Sequence, residues 1–423
     1  MIEIQRIKEN KSEVIEGLKK RGIDSEKEID NILGIDQDWR ISKTELEEIS
    51  AQLNTISKEI GKLFSSGQRD QAEELKTKSV NLKKQEAAQK IKVDELQAQL
   101  SNRIMSLPNI PHPEVPNGRD EKDNEIVFET GERPNKENMK LAHWDLAKKH
   151  KLIDFELGVK VTGAGFPFYR GQGAKLQRAL VSFFLDEAGR AGYEEFNSPL
   201  MVNEESGIGT GQLPDKEGMM YHVGNENLYL IPTAEVPLTN MYRNRIIPNA
   251  DFSIKITGHT PCFRREAGSY GKDVRGLNRL HQFEKVEIVR IETPENAESA
   301  LTEMIDHVKG LLEKLGLQYR ILKLCAGDTG FAAAITYDFE VYSAGQDKWL
   351  EVSSVSRFDT FQSNRLKLRY KDENNKSRLC HTLNGSALAL PRIVASLLEN
   401  HQTPEGIKIP DALVPYTGFK MIT

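Results

Sequence analysis

From Leu46 the apolar residues Ile49, Leu53, Ile56, Ile60 and Leu63 recur at alternating steps of three and four. Only a long helix with a partner along its whole length buries such a seam. Ser65-Ser66-Gly67-Gln68 then interrupts it with a polar turn, and a second charged run carries Leu75, Ser79, Leu82, Val93, Leu96 and Leu100 in the same phase, broken at Glu86 and Gln89. Two pairings satisfy these seams. Heptads alone favour a dimerisation coiled coil; an antiparallel hairpin within one chain is the more economical choice, because each seam's nearest partner is the adjacent one. Pro108, Pro111, Pro113 and Pro116 rule out further helix and read as a stiff extended connector.

Beyond the prolines the pattern changes in kind. Apolar runs at 228–231, 252–256 and 349–352 alternate with loops, and amphipathic helices are expected at 174–191 and 297–315. An antiparallel sheet with covering helices follows, so the expected fold class is α+β, with a helical arm ahead of a sheet domain. At 423 residues the chain exceeds one ordinary core. A net charge of −5 leaves no global basic footprint, so any nucleic-acid contact must come from local patches. Cys262, Cys325 and Cys380 lie far apart without CxxC spacing, which argues against a disulfide framework and a zinc site and fits a reducing cytoplasm. The opening residues have no secretory pattern, and no stretch is apolar enough to span a bilayer.

The chemistry is concentrated between Cys262 and Glu287, CFRREAGSYGKDVRGLNRLHQFEKVE. The stretch reads as a strand, a Gly-rich loop from Gly268 to Gly276 and a returning strand. Alternation places Arg264 and Glu266 on one face, and Phe283, Lys285 and Glu287 on another single face. Arginines for anions, a planar aromatic and inward carboxylates together suit a nucleotide. A solvated surface hairpin is the bland alternative.

FRREAG followed by RGLNRLHQFEKVE resembles the second signature motif of class II aminoacyl-tRNA synthetases, in the form found in the seryl-tRNA synthetase family, bacterial type. That resemblance implies that Arg264, Arg265, Glu266, Leu280 and Phe283 meet ATP, with Arg264 also on the serine carboxylate. Arg265 stands where the family commonly has Ser, and alternation turns it from the ligand face. Ile231-Pro232-Thr233-Ala234-Glu235 resembles the family's Thr-x-Glu loop, implying Thr233, Ala234 and Glu235 around the substrate ammonium; a helix N-cap is the plain alternative. Leu350-Glu351-Val352-Ser353-Ser354 resembles its nucleotide-lining strand, implying Mg²⁺ on Glu351 and Ser354 and ATP along Glu351, Val352, Ser353 and Ser354. A solvated edge strand is the alternative there.

HTLNGSALALPR, ending at Arg392, resembles the third motif. It implies an Arg392 guanidinium stacked on adenine opposite Phe283, which lysine would not match. Pro391 replaces the family's more frequent Gly and is tolerated in a helix's first turn. Glu287 and Ser386 are assigned to the serine hydroxyl, since an unpaired buried polar pair rejects alanine. The resemblance implies that Arg264, Glu266 and Arg392 form the catalytic group. The helix at 174–191, followed by Gly192, Tyr193 and a strand reaching Pro199, resembles the first motif, which implies a homodimer; an ordinary core helix is the alternative.

The expected organisation is a tRNA-binding arm at 1–107 with its coiled coil over about 27–105, a Pro-rich linker at 108–120 and a catalytic domain at 121–423. The resemblance implies ATP-dependent activation of L-serine to seryl-adenylate, then transfer to tRNA(Ser), with tRNA(Sec) left open as a second acceptor. Arg69, Lys76, Lys78, Lys83, Lys84 and Lys90 are the arm's candidate phosphate contacts, interleaved with acids that solvate a rod equally well. The alternative is a catalytically idle paralogue with a tRNA-binding or regulatory role, which would be expected to have lost Arg264, Glu266, Glu287, Glu351 or Arg392. All five are present.

Overall fold

The computed structural model describes residues 1–130, 141–215, 218–266 and 274–423. Most of the Gly-rich loop expected at 268–276 therefore lies outside the described residues. The chain forms two compact units, one of Ile2–Lys19 with Ile23–Pro108, the other of Met1, Lys20–Gly22 and Asn109–Thr423.

The first unit is dominated by α1 (Glu26–Ser65, 40 residues) and α2 (Arg69–Ser106, 38 residues), joined by the polar turn at 66–68. At 1.5 Å per residue each is roughly 60 Å long. The two run antiparallel: Arg103 pairs with Glu28 at 3.0 Å near the base, and Leu82 packs with Leu53 and Ile56 further out. The seams are thus satisfied within one chain. The break at Glu86 and Gln89 has its own partners on the facing helix: Ser50 Oγ donates to Glu86 at 2.5 Å, and Gln89 Nε2 donates to the Ser42 carbonyl at 2.9 Å and to Glu45 at 2.7 Å. Paired this way, polar residues in a seam cost little and pin the register. Two short helices, Ile4–Glu9 and Lys11–Lys20, bury Ile7, Val14 and Leu18.

In the second unit an eight-stranded sheet is built from β1 (Glu125–Glu129), β2 (Glu194–Glu195), β3 (Ile254–Phe263), β4 (Gln282–Glu292), β5 (Tyr319–Lys323), β6 (Ile335–Ser343), β7 (Lys348–Asp359) and β8 (His381–Ala389). Their spatial order is β1-β5-β6-β7-β8-β4-β3-β2. All neighbours are antiparallel except β2 beside β3. The strand expected to reach Pro199 is only Glu194–Glu195; Pro199 has no N–H with which to extend it.

Helices α3 (His143–Lys149), α4 (Gly171–Arg190), α5 (Ala297–Lys314) and α6 (Leu390–Asn400) belong to the same unit, along with shorter helices and small sheets. Leu176, Leu180 and Phe184 of α4 join Met304 and Val308 of α5, Val394 and Leu398 of α6 and the sheet residues Ile288, Phe339 and Val355 in one core. Each such side chain contributes about 1.5–3 kcal/mol by leaving water. The proline segment is not a free spacer: the Asn109 N–H donates to the Phe331 carbonyl at 2.9 Å and the His112 N–H to that of Ala334 at 2.8 Å. Among the described residues no helix is long and apolar enough to cross a membrane.

Candidate active site

Strands β4, β7 and β8 lie side by side at the middle of the sheet, and their ends, the residues just after β3 and the start of α6 enclose a cavity of about 560 Å³. Chain segments far apart in sequence meet there: Thr233 and Glu235, Arg264 and Glu266, Leu280 and Phe283, Glu351 through Ser354, Ser386 and Arg392 all line it. Three of the residues expected at the site are set back from it.

Arg265 is one: it lies two residues beyond the end of β3, is exposed, and its N–H donates to the Met219 carbonyl. Ala234 is wholly buried and packs with Leu238, Ile256 and Val289. Glu287 is also fully buried, behind the surface that alternation would have had it share with Phe283. Its carboxylate accepts from Thr233 Oγ1 at 3.0 Å and Asn384 Nδ2 at 3.1 Å and pairs with Lys285 Nζ at 2.5 Å. Thr233, Lys285 and Asn384 line the cavity in its place. Ser386 lies directly opposite Glu287 in the β4–β8 register.

Thr233 and Glu235 are placed by a small three-stranded sheet whose strand Leu228–Leu230 leads straight into them, and a short helix begins at Glu235. Thr233 Oγ1 accepts weakly from the Glu235 N–H at 3.4 Å, a local turn contact one residue ahead of the N-cap position Ala234, and donates to Glu287. Glu235 is buried and accepts from Gln362 Nε2 at 2.6 Å. Burial, and then the Glu287 carboxylate, push its carboxyl up to about 7, against the Gln362 hydrogen bond and the charges of Lys285 and Arg264. Such an acid gains most from a cation brought against it.

Arg264 follows β3 directly. Its guanidinium lies 5.3 Å from the Phe283 ring centroid, and its Nε reaches toward the Pro232 carbonyl at 3.4 Å. It thus stands between the Thr233–Glu235 end and the aromatic end. Glu266, at positive φ, is paired with Arg279 across the returning loop. Arg392 sits in the first turn of α6, just after Pro391, and donates through Nε to the Asn278 carbonyl at 2.9 Å and through a terminal nitrogen to the Glu351 carbonyl at 2.7 Å.

Glu351 and Ser354 are three apart, and strict alternation would put them on opposite faces. A bulge makes the difference: Glu351 faces Glu340 and Ser353 faces Phe339, so Val352 is an extra residue and Ser354 returns to the Glu351 face. The strand is interior, between β6 and β8, not an edge. Asp338 lies opposite Ser354, its carboxyl held well above the usual range by burial and then by the Glu351 charge, with a Ser354 hydrogen bond opposing. The Glu351 side chain is half exposed and only loosely paired with Arg392, at 3.5 Å. A half-exposed carboxylate and a hydroxyl on one face suit a hard cation such as Mg²⁺. Among the described residues no cluster of three or more His, Cys, Asp or Glu gathers as metal ligands, so such an ion would complete its shell with phosphate and water oxygens.

Alternation along β4 puts Lys285 on the cavity face but assigns it no role, and the sequence gives no sign of Asn384, Gln362 or Asn278. Nothing local marks these last three: each acts through a partner far away in sequence.

Comparison with known proteins bears on the whole chain. The family model described as "Seryl-tRNA synthetase N-terminal domain" matches residues 1–111, and the "tRNA synthetase class II core domain (G, H, P, S and T)" matches residues 221–401. A serine–tRNA ligase of Salinibacter ruber is 48% identical over 100% of this chain and 99% of its own length. That of Akkermansia muciniphila is 45% identical over the same shares. Among solved structures, a seryl-tRNA synthetase from Pyrococcus horikoshii complexed with ATP superposes with a TM-score of 0.90 at 35% identity, over 100% of this chain and 99% of that one. A cytoplasmic serine–tRNA ligase from Naegleria fowleri in complex with AMP gives 0.86 at 27% identity over the same shares.

Proposed function

The chain belongs to the seryl-tRNA synthetase family, and from that premise we propose that it activates L-serine with ATP and transfers the seryl group to tRNA(Ser). The observation that carries this reading is the arrangement of one continuous cavity: a buried acid seeking a cation at Glu235, an arginine at its middle, and an aromatic ring with Arg392 toward the other end. Serine's ammonium meets Glu235 and Thr233, and its hydroxyl meets the Ser386 side with Glu287 behind it. The adenine lies along Phe283, and Arg392 holds the nucleotide end.

The serine carboxylate oxygen attacks the α-phosphorus, the α–β phosphoanhydride bond breaks, and pyrophosphate leaves with the electron pair. A hydroxyl of the tRNA 3′ end then attacks the seryl carbonyl and AMP leaves. No side-chain nucleophile is needed. Arg264 spans the carboxylate and the α-phosphate, and the work is positioning and charge neutralisation. Glu351 and Ser354 would hold Mg²⁺, which neutralises phosphate charge when bound. The arm supplies tRNA affinity, and 1–107, 108–120 and 121–423 serve as arm, linker and catalytic domain. A homodimer is part of the same reading. The exposed apolar residues Val159 and Val161, at 57% and 62%, with Phe168 at 40%, support it as a surface awaiting cover. The cytoplasm is where such a reaction draws its ATP and tRNA. The idle-paralogue alternative has no observation in its favour.

Purified protein, ATP, Mg²⁺ and labelled serine are expected to charge tRNA(Ser), but not a non-cognate tRNA, and threonine and alanine are expected to be rejected; tRNA(Sec) belongs in the same assay. Failure to form seryl-adenylate would overturn the proposal.

The raised Glu235 carboxyl gives a second expected result. Serine's ammonium favours ionised Glu235, whereas the empty site keeps its proton up to about pH 7. Binding must therefore expel a proton at lower pH. The serine KM is expected to rise by about tenfold per pH unit below 7 and to level off above it. In Glu235→Gln binding is weaker and this slope is lost. A wild-type serine KM that stays flat from pH 6 to 8 would remove Glu235 from the ammonium site.

A further inference from the structure

His143, on α3, takes no part in the chemistry above, yet it is wholly buried and bonded through both ring nitrogens. Nε2 accepts from the Leu277 N–H at 2.8 Å, which leaves Nδ1 to donate to Glu399 Oε1 at 2.7 Å. Glu399 is also fully buried. Burial alone would push its carboxyl up, but hydrogen bonds from His143 and Ser343 outweigh this and hold it below its ordinary value. Gln346 Nε2 donates to the same carboxylate at 3.0 Å, while its Oε1 accepts from Asn278 Nδ2 at 2.8 Å. The Asn278 carbonyl, in turn, accepts from Arg392 Nε.

Arg392 and Glu399 lie seven residues apart on α6, so these contacts close into a ring: Arg392, Asn278, Leu277, His143, Glu399 and back along the helix. The approach is tight. Gly276 has φ +70°, and a Cβ there would fall 2.2 Å from His143 Nε2. One residue earlier, the Arg275 guanidinium lies over the Trp144 ring, 4.4 Å from its centroid. His143 and Trp144 thus grip three consecutive residues just ahead of Asn278 and Leu280, which line the cavity.

We propose that His143, oriented by Glu399, is a positioning residue for the nucleotide end of the site: it sets the backbone of Leu277 and Asn278 and through Asn278 the guanidinium of Arg392. The inference rests on Arg392 contacting the nucleotide. Small displacements of such a group cost up to about 100-fold in rate.

The test is pyrophosphate exchange by the full chain, with ATP and serine varied separately and melting temperatures measured alongside. His143→Ala is expected to raise the ATP KM roughly 10-fold and to move the serine KM less than about twofold, a split in keeping with misplacement at one end only. His143→Gln should recover most of the loss, because its Oε1 can accept where Nε2 does; His143→Asn retains only the donor to Glu399 and should not. Equal effects on both substrates, or Gln and Asn behaving alike, would overturn the proposal. Gly276→Ala attacks the same contact without removing the buried His143–Glu399 pair, so it decides the matter even if His143→Ala does not fold; a normal ATP KM there overturns the inference. Arg392→Ala runs in parallel. If it leaves the ATP KM unchanged, the reading of Arg392 fails; if it alone raises that KM, only the role of His143 fails.

Discussion

Replacing Arg264 with alanine is expected to lower serine activation by about 10²–10³-fold, or roughly 3–4 kcal/mol, the usual loss when one preorganised donor to a developing charge is removed. The size of the effect follows from where the side chain stands. The Arg264 N–H donates to the His281 carbonyl at 2.9 Å, which ties the start of the loop to its return, and the guanidinium over Phe283 with Nε near the Pro232 carbonyl lies between the two ends of the cavity. It is only partly buried and is not in the core, so its removal should spare the fold. Arg264→Lys keeps the charge but not the planar fork and should recover little. Pyrophosphate exchange at saturating ATP and serine reads the loss directly; near wild-type exchange in Arg264→Ala would refute its role on the α-phosphate.

Excising residues 30–105 is expected to leave serine activation measurable and to lower charging of tRNA(Ser) by roughly 10³-fold, the scale of losing several phosphate contacts at moderate salt. The excision is geometrically mild, because Glu28 and Arg103 are ion-paired across the base of the hairpin and a short linker can rejoin the cut ends. The side chains removed include Arg69, Lys76, Lys78, Lys83, Lys84 and Lys90, all exposed along α2. Lys76 is partly occupied, with Glu73 at 2.6 Å and the Phe64 ring at 4.7 Å, so the loss should not be spread evenly over the six. The salt dependence of charging by the intact protein should flatten in the truncated one. Full charging without the hairpin would show that the acceptor end alone recruits the tRNA.

Sequence alone determined the two long helices of the arm, two of the helices that pack on the sheet, and twelve of the residues that line the cavity. Heptad spacing over 46–63 and 75–100 dictates two helices, since alternating steps of three and four return every apolar residue to one helix face, and the observed α1 and α2 contain both runs. The amphipathic runs expected at 174–191 and 297–315 are helices Gly171–Arg190 and Ala297–Lys314. Arg264, Phe283, Glu351 and Arg392 were legible because each sits in a long string that constrains its neighbours.

What the tertiary structure decided is everything that depends on a distant partner. The breaks at Glu86 and Gln89 look like defects in one helix, yet they are answered by Ser42, Glu45 and Ser50 on the other. Glu351 and Ser354 share a face only because β7 bulges at Val352, and an extra residue in one strand is defined only by its pairing with the next. Alternation put Glu287 beside Phe283, but Thr233 and Asn384, from elsewhere in the chain, close over it. His143 and Glu399 are 256 residues apart, and no local pattern signals that they form one buried pair. Periodicity records which way a side chain faces along its own backbone; burial and hydrogen-bond partners belong to the space between segments, and only packing fills that space.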